Sequence, residues 1–483
     1  MKMTAESTDE SHALFCKYAF DPAGEDSESV SKTLEFAYDN WCIALVAKAL
    51  GEQEDYAKYI RRAQYWKNIF DPETGFMRPR ELKRWAPDFN PVKVSSHFTE
   101  ANSWQYSFFV PHDIAGHVAA FGGTDAYAAK LDSLFNASTD GLENQLVDVS
   151  GFVGQYAHGN EPSHHVAYLY DFIGQPWKTQ KLVRHICRTF YADGPDGICG
   201  NEDCGQMSAW YVFSAIGLFP LTPGTTTLAL TTPLFSKADI DMGCGCLTIT
   251  ADAPGRTYIS SVKLSGRKLE TAVVDFRDIM NGGRLRFTTS ATPTPFGSTP
   301  AMVPSIDPDY RYDAVFPKDF GVPEEEGEAT MKAYPRTEYH DFYTAGGGKG
   351  LVDGKRGKRN WRAGGWQGYK HNDIDVVVDL LGERTIGSVT VGFLQDMDNY
   401  IWMPRDMEVS VSVDGVNFSP IGRRDSDVAI DDPLVRIEDW TVEFEPGKAT
   451  HVRVVARHFG EIPSWHRGYG DTGFTFMDEI IVR

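Results

Sequence analysis

Long apolar runs are missing: no stretch of the 483 residues approaches the roughly 20 apolar positions that a bilayer-crossing helix needs, so no membrane span is expected. An apolar leader is missing as well, residues 1–11 being polar and acidic, so no signal peptide is expected in this chain. Positive charge is scarce. Against 67 acidic residues stand 47 basic ones, a net charge of -20, which argues against nucleic acid or an anionic membrane as partner unless a basic patch is built locally. The densest basic run, 355–359, is short. Paired cysteines are missing too: seven is an odd number, no zinc-type double pair occurs, and mostly free thiols are expected.

What is present begins with length, which is too great for one core and calls for two or three domains. Helical periodicity runs over 30–49 and 53–70 as a helix hairpin, then returns at 104–110, 114–121, 126–135, 165–173, 178–191 and 206–216. The loops between are polar and aromatic at 95–103, 149–164 and 193–205. That alternation suits helix hairpins packed side by side with one set of connections lining a mouth. The period changes to alternation after residue 225, with short strands at 226–230, 247–251, 258–262 and 285–288. Residues 299–334, dense in Pro, Gly and acids, read as a linker. Six further strands, at 373–380, 386–393, 407–412, 440–444, 451–457 and 478–482, suit a β-sandwich. The fold class is therefore a multidomain α plus β chain: part of an (α/α)6 helical toroid over 1–222, a β-domain over 223–298, the linker, and a sandwich over 335–483.

Two of the loops carry opposed acids. Glu100 lies in sequence among Phe98, Trp104 and Tyr106, surroundings that disfavour a bare charge and suit a proton donor. Asp203, in GNEDCGQMSAWYVF (200–213), stands before a nearly uncharged helix expected to be wrapped on most sides, where the helix dipole favours the charged form and suits a base. Acid and base of this kind are the equipment of glycoside hydrolysis. A capping Asp and a surface Glu would leave the same trace. In HGNEPSHH (158–165) the spacing lacks the helical His-Glu-x-x-His of zinc proteases, and oxygen-rich Asn160 and Glu161, with Gln105, better suit a hard ion such as calcium (Ca2+). A plain hydrogen-bonded loop reads equally. In the C-terminal region Trp361, Trp366, Asp373, Trp402, Trp465 and His466 would stack on sugars if exposed and fill a core if buried.

FTEANSWQYSFFVPHD (98–113), HGNEPSHHVAYLYDFIGQPWKTQ (158–180) and GNEDCGQMSAWYVFSAIGLFPLTPG (200–224) together resemble glycoside hydrolase family 92, the calcium-dependent exo-α-mannosidases, with further likeness at 28–44 and 70–79. LVDG (351–354), LQD (394–396), SVDG (412–415) and MDEIIV (477–482) resemble a coagulation factor 5/8 type C, or discoidin-like, carbohydrate-binding module. The first resemblance implies an inverting hydrolase of terminal α-mannose on glycans. Glu100 would be its general acid and Asp203 its general base, standing about 6.5–9.5 Å apart across a water. Substrate contacts would come from Trp104, Asn160, Glu161 and Asn201, and calcium contacts from Glu161 and Gln105. It also implies a secreted or periplasmic protein, and a chain that starts inside the family's helical portion. The linkage expected is α-1,2, although Asn160 stands where some α-1,2-specific members carry His. Two rivals stay open: another helical-toroid carbohydrate enzyme, such as a lyase, and a non-catalytic glycan-binding protein.

Overall fold

The computed structural model describes residues 1–6, 10–82, 84–87, 89–140, 149–299, 305–314 and 331–483. Two units divide the chain: residues 1–22 with 29–320, and 23–28 with 321–483.

In the first unit, the expected hairpin pairs the Ser29–Leu50 helix with Gln53–Arg62. The apolar positions Val30, Leu34, Ala37, Trp41 and Ala44 are buried, and Tyr59 and Ile60 of the second helix pack with Trp41 and Ala44. That helix stops eight residues short of expectation: a 3-10 turn, Tyr65–Asn68, follows, and Phe70 pairs instead with Met77 in a two-stranded turn. The stretch expected to be helical over 104–110 makes one turn only, Ser103–Tyr106. Pro111 follows it, and Pro disfavours a helix through the residue before it. Helices at Ile114–Ala120, Thr124–Asn136, Pro176–Thr189 and Gln206–Ile216 match the periodicity, while Val166–Ile173 winds as a 3-10 helix. One core runs through them, with Tyr127, Leu131, Tyr168, Leu169, Ile186 and Trp210 at its centre.

Helix Gln206–Ile216 is not wrapped as its composition suggested. Met207, Trp210, Ser214 and Ala215 face the core, but Val212 and Phe213 are 56% and 38% exposed. Among the described residues, no helix is long and apolar enough to cross a membrane.

Two sheets follow. Arg267–Leu269, Tyr258–Leu264, Gly283–Ser290, Cys246–Ala251 and Lys237–Asp241 lie in that order, with the third and fourth parallel. Val273–Asp275, Thr227–Leu230 and Leu218–Phe219 form the other. Alternation places Leu247, Ile249, Ile259, Val262, Leu285 and Phe287 inside, a core separate from that of the helices. The expected linker falls partly outside the described residues. Its part at 305–314 is tied to the helices: Gln64 Nε2 donates to the Tyr310 carbonyl at 2.8 Å, and the Tyr312 hydroxyl meets Asn68. All seven cysteines are unbridged.

In the second unit, the four strands expected at 373–380, 386–393, 440–444 and 451–457 merge into two long ones, Ile374–Gln395 and Arg436–Ala456. They pair antiparallel along their length, with an irregularity between Asp379 and Arg384 where Leu381 takes a positive φ. Asp406–Ser412 and Lys332–Pro335 pair with one half of this ribbon and Thr475–Val482 with the other. Both halves send side chains into one core, Val376, Val378, Val409 and Val454 meeting Val391, Phe393, Trp440 and Ile480. The bent ribbon thus supplies both layers of the sandwich.

Candidate active site

Three loops of the first unit converge, and hydrogen bonds hold them. The first ends in a capping box. Asn102 accepts from the Gln105 backbone at 3.2 Å, and the Gln105 side-chain oxygen accepts from the Asn102 backbone at 3.1 Å. Asn102 also donates to Gln155, and the Ser103 hydroxyl to the Met77 carbonyl. Two residues upstream, Glu100 is exposed with φ at 48°.

The second loop is organised by histidines. Tyr191 gives its hydroxyl proton to the Met207 carbonyl and so accepts from His158 Nε2 at 2.7 Å, which leaves His158 Nδ1 to accept from Tyr156 at 2.9 Å. By the same reasoning His164 donates from Nε2 to the His158 carbonyl and accepts at Nδ1 from Gln206 at 3.0 Å. Burial holds both rings neutral, lowering His158 to about 2 and His164 to about 4. The Trp210 indole donates to the His164 carbonyl at 3.0 Å, and Asn160 Nδ2 reaches across to the Glu100 carbonyl at 3.1 Å.

The third loop passes Gly200 over Gly159 so closely that a Cβ on Gly200 would lie 3.0 Å from the Gly159 Cα. Glycine makes that approach without a shift of the neighbouring backbone. Asp203 and Cys204 follow with φ at 49° and 58°, then Gly205 at 91°, and the helix begins at Gln206. Capping falls to Glu202, which accepts from the Ser208 backbone at 3.0 Å and its hydroxyl at 2.8 Å. Asp203 is thereby left exposed. Glu100 and Asp203 both hold the left-handed backbone that non-glycine residues rarely adopt, a strain that concentrates at functional positions.

Glu161 marks where the loops meet. Its carboxyl is pushed up, first by partial burial and then by the negative charges of Asp203, to which it hydrogen-bonds, and of Glu100. The aromatic surroundings expected for Glu100 are not the ones it has. Phe98 and Tyr106, its aromatic neighbours in sequence, turn inward into a core with Phe20, Val30 and Trp66, and Glu100 faces solvent instead. Trp104 is half-buried against Phe76, rings perpendicular at 4.6 Å, with the Lys130 ammonium 4.7 Å from its centroid. Asn201 is exposed at the start of the acidic turn.

Of the two residues expected to hold calcium, Glu161 fits, being an oxygen donor crowded by two other acids. Gln105 does not fit, because it is buried and its oxygen already takes the Asn102 backbone N–H. Among the described residues, no three His, Cys, Asp or Glu side chains form a metal-holding group. The positioning residues His164, Gln206 and Tyr191 were not singled out from the sequence. The only signal for the first two was their place inside the HGNEPSHH and GNEDCGQ strings.

Loops of a helical unit that bring the charges of Asp203 and Glu100 to bear on Glu161 supply the paired acids that glycoside hydrolysis uses. The chain belongs to glycosyl hydrolase family 92, whose catalytic domain matches residues 3–291. It is similar to a family GH92 α-mannosidase from Bacteroides thetaiotaomicron solved with mannoimidazole, at 33% identity and a TM-score of 0.59 over 66% of this chain and 42% of that one. A family GH92 inverting mannosidase from B. thetaiotaomicron VPI-5482 is 36% identical, with a TM-score of 0.55 over 62% of this chain and 43% of that one. An uncharacterized secreted glycosidase from Arthroderma benhamiae is 25% identical over 317 residues, 59% of this chain and 39% of that one. The chain thus spans about two-fifths of the length of these relatives.

Proposed function

We propose that the protein hydrolyses terminal α-linked mannose from glycans with inversion, Glu100 protonating the leaving oxygen and Asp203 taking a proton from water. The observation that carries this reading is the gathering of Glu100, Glu161 and Asp203 from three loops, two of them in left-handed backbone. Residues 1–222 would form the helical part of a toroid and 223–298 its β-domain, with Trp104, Asn160, Glu161 and Asn201 bordering the sugar. Negative charge concentrated at Glu161 is what a hard cation relieves, so calcium would be held there, with water or substrate oxygens completing a shell of six to eight. Such an ion would supply charge and a grip on sugar hydroxyls. The name of one relative, an uncharacterized secreted glycosidase, supports a secreted site of action.

Hydrolysis of an α-mannoside by the full chain, followed by proton NMR, tests the proposal. Free mannose is expected, appearing first as the β-anomer. Glu100→Gln and Asp203→Asn are each expected to cut the rate by about 10²–10⁴ without loss of fold. Chelation should lower the rate and calcium restore it. Retention of the α-configuration, full activity in either variant, or an unsaturated product absorbing in the ultraviolet would refute it.

The second unit favours glycan binding in addition, as a discoidin-like module. Of the aromatics singled out there, Trp366 and Trp402 are core residues and His466 is buried, whereas Trp465 is 51% exposed, with Tyr469 at 68% on the same loop. Those two offer ring faces to a sugar.

A further inference from the structure

A cleft in the second unit is lined by neither Trp465 nor Tyr469, although Trp402 at its base touches the His466 ring beside them at 5.3 Å, and it takes no part in the reading above. It encloses about 470 Å3, within the range of small-molecule sites. Its floor is Trp402 and Phe459, stacked at 4.7 Å with planes 8° apart, and Met403, Val428 and Ile430 line its walls. The side chains of Trp402 and Gln395 are already used. The Trp402 indole donates to the Ile430 carbonyl, and Gln395 spends its oxygen on the Met403 N–H and its amide on the carbonyls of Ala429 and Asp432.

Arg405 is the exception. Its Nε donates to the carbonyls of His458 at 2.9 Å and Phe459 at 3.1 Å, and its backbone is pinned by Arg457 and Ser426. The guanidinium is thus oriented while its two terminal nitrogens stay open, and among the described residues it makes no ion pair, although the chain carries a net charge of -20. The nearest acid in sequence, Asp406, is taken by Arg423 and Arg457. A fixed fork is the geometry that receives a carboxylate with two parallel hydrogen bonds, and aromatic carbon beside it suits the apolar face of a pyranose.

We infer that this cleft binds an acidic sugar, a uronic acid residue whose carboxylate pairs with Arg405 and whose ring lies against Phe459. The inference is independent of the hydrolytic reading. Titration of the full chain with methyl glucuronide, methyl glucoside and inorganic sulfate, followed by calorimetry, tests it. Glucuronide should bind in the millimolar range or tighter, and the neutral glucoside and sulfate at least about tenfold more weakly, the loss of one charged pair. Arg405→Gln should lose the preference for glucuronide over glucoside, and Phe459→Ala should weaken both sugars, each with a melting temperature near the parent's. Equal binding of glucoside, equal binding by Arg405→Gln, binding of sulfate as tight as glucuronide, or no binding of glucuronide would each overturn it.

Discussion

Mild acid is expected to unfold the first unit, and the buried histidines set where. His97, His112, His164 and His165 are lowered by burial to about 4, His117 to about 3 and His158 to about 2. Groups depressed in this way stabilise the fold above pH ~6.5 and lose that contribution as pH falls toward the folded values. At pH ~5.5 the six unfolded imidazoles would take up about five protons that the folded unit refuses. Three acids oppose them. Glu35 is raised to about 7, by burial and then by Asp39, Asp171 is raised well above its ordinary range by burial, and burial raises Asp113 as well. Such acids favour the fold at low pH and lose that contribution as pH rises through the folded value, so they return about two to three protons. The net of roughly two to three gives a slope of about 3–4 kcal/mol per pH unit, which would exhaust an ordinary stability of ~5–15 kcal/mol within two to four units. Circular dichroism and hydrolysis should therefore fall together between about pH 5.5 and 4. Histidine resonances titrating near their ordinary value in the folded protein, or an intact helical signal at pH 4, would refute the reasoning.

Further expectations concern particular contacts. Trp210→Phe removes the donor to the His164 carbonyl and part of a fully buried ring, and should cost about 2–3 kcal/mol in thermal unfolding while loosening the loop of Glu161. An unchanged melting temperature would show that the contact is not needed. Glu202→Ala deletes the cap of the Gln206–Ile216 helix and should cost ~1 kcal/mol, with a larger proportional loss of turnover because Asp203 adjoins it. A Cβ at Gly357 would sit 2.2 Å from the Trp366 ring, so Gly357→Ala should destabilise the sandwich by about 1–3 kcal/mol, read from its unfolding transition.

Periodicity alone determined the order of the chain: helices to residue 216, short strands next, then a second β-unit, because burial of one face imposes a period of 3.6 or 2 on local sequence. It also marked the three loops, since their polar and aromatic composition interrupts that period. It failed where chain geometry intervened. The helix expected over 104–110 closes after one turn, and four strands became two long ones because the same two strands resume pairing beyond the irregularity at Asp379–Arg384. Tertiary structure alone decided that the Glu161 carboxyl is pushed up. Phe98 and Tyr106 adjoin Glu100 in sequence but point away from it, whereas the charges that press on Glu161 come from residues 61 positions before it and 42 after. Proton affinity depends on distance through space, and sequence records only distance along the chain.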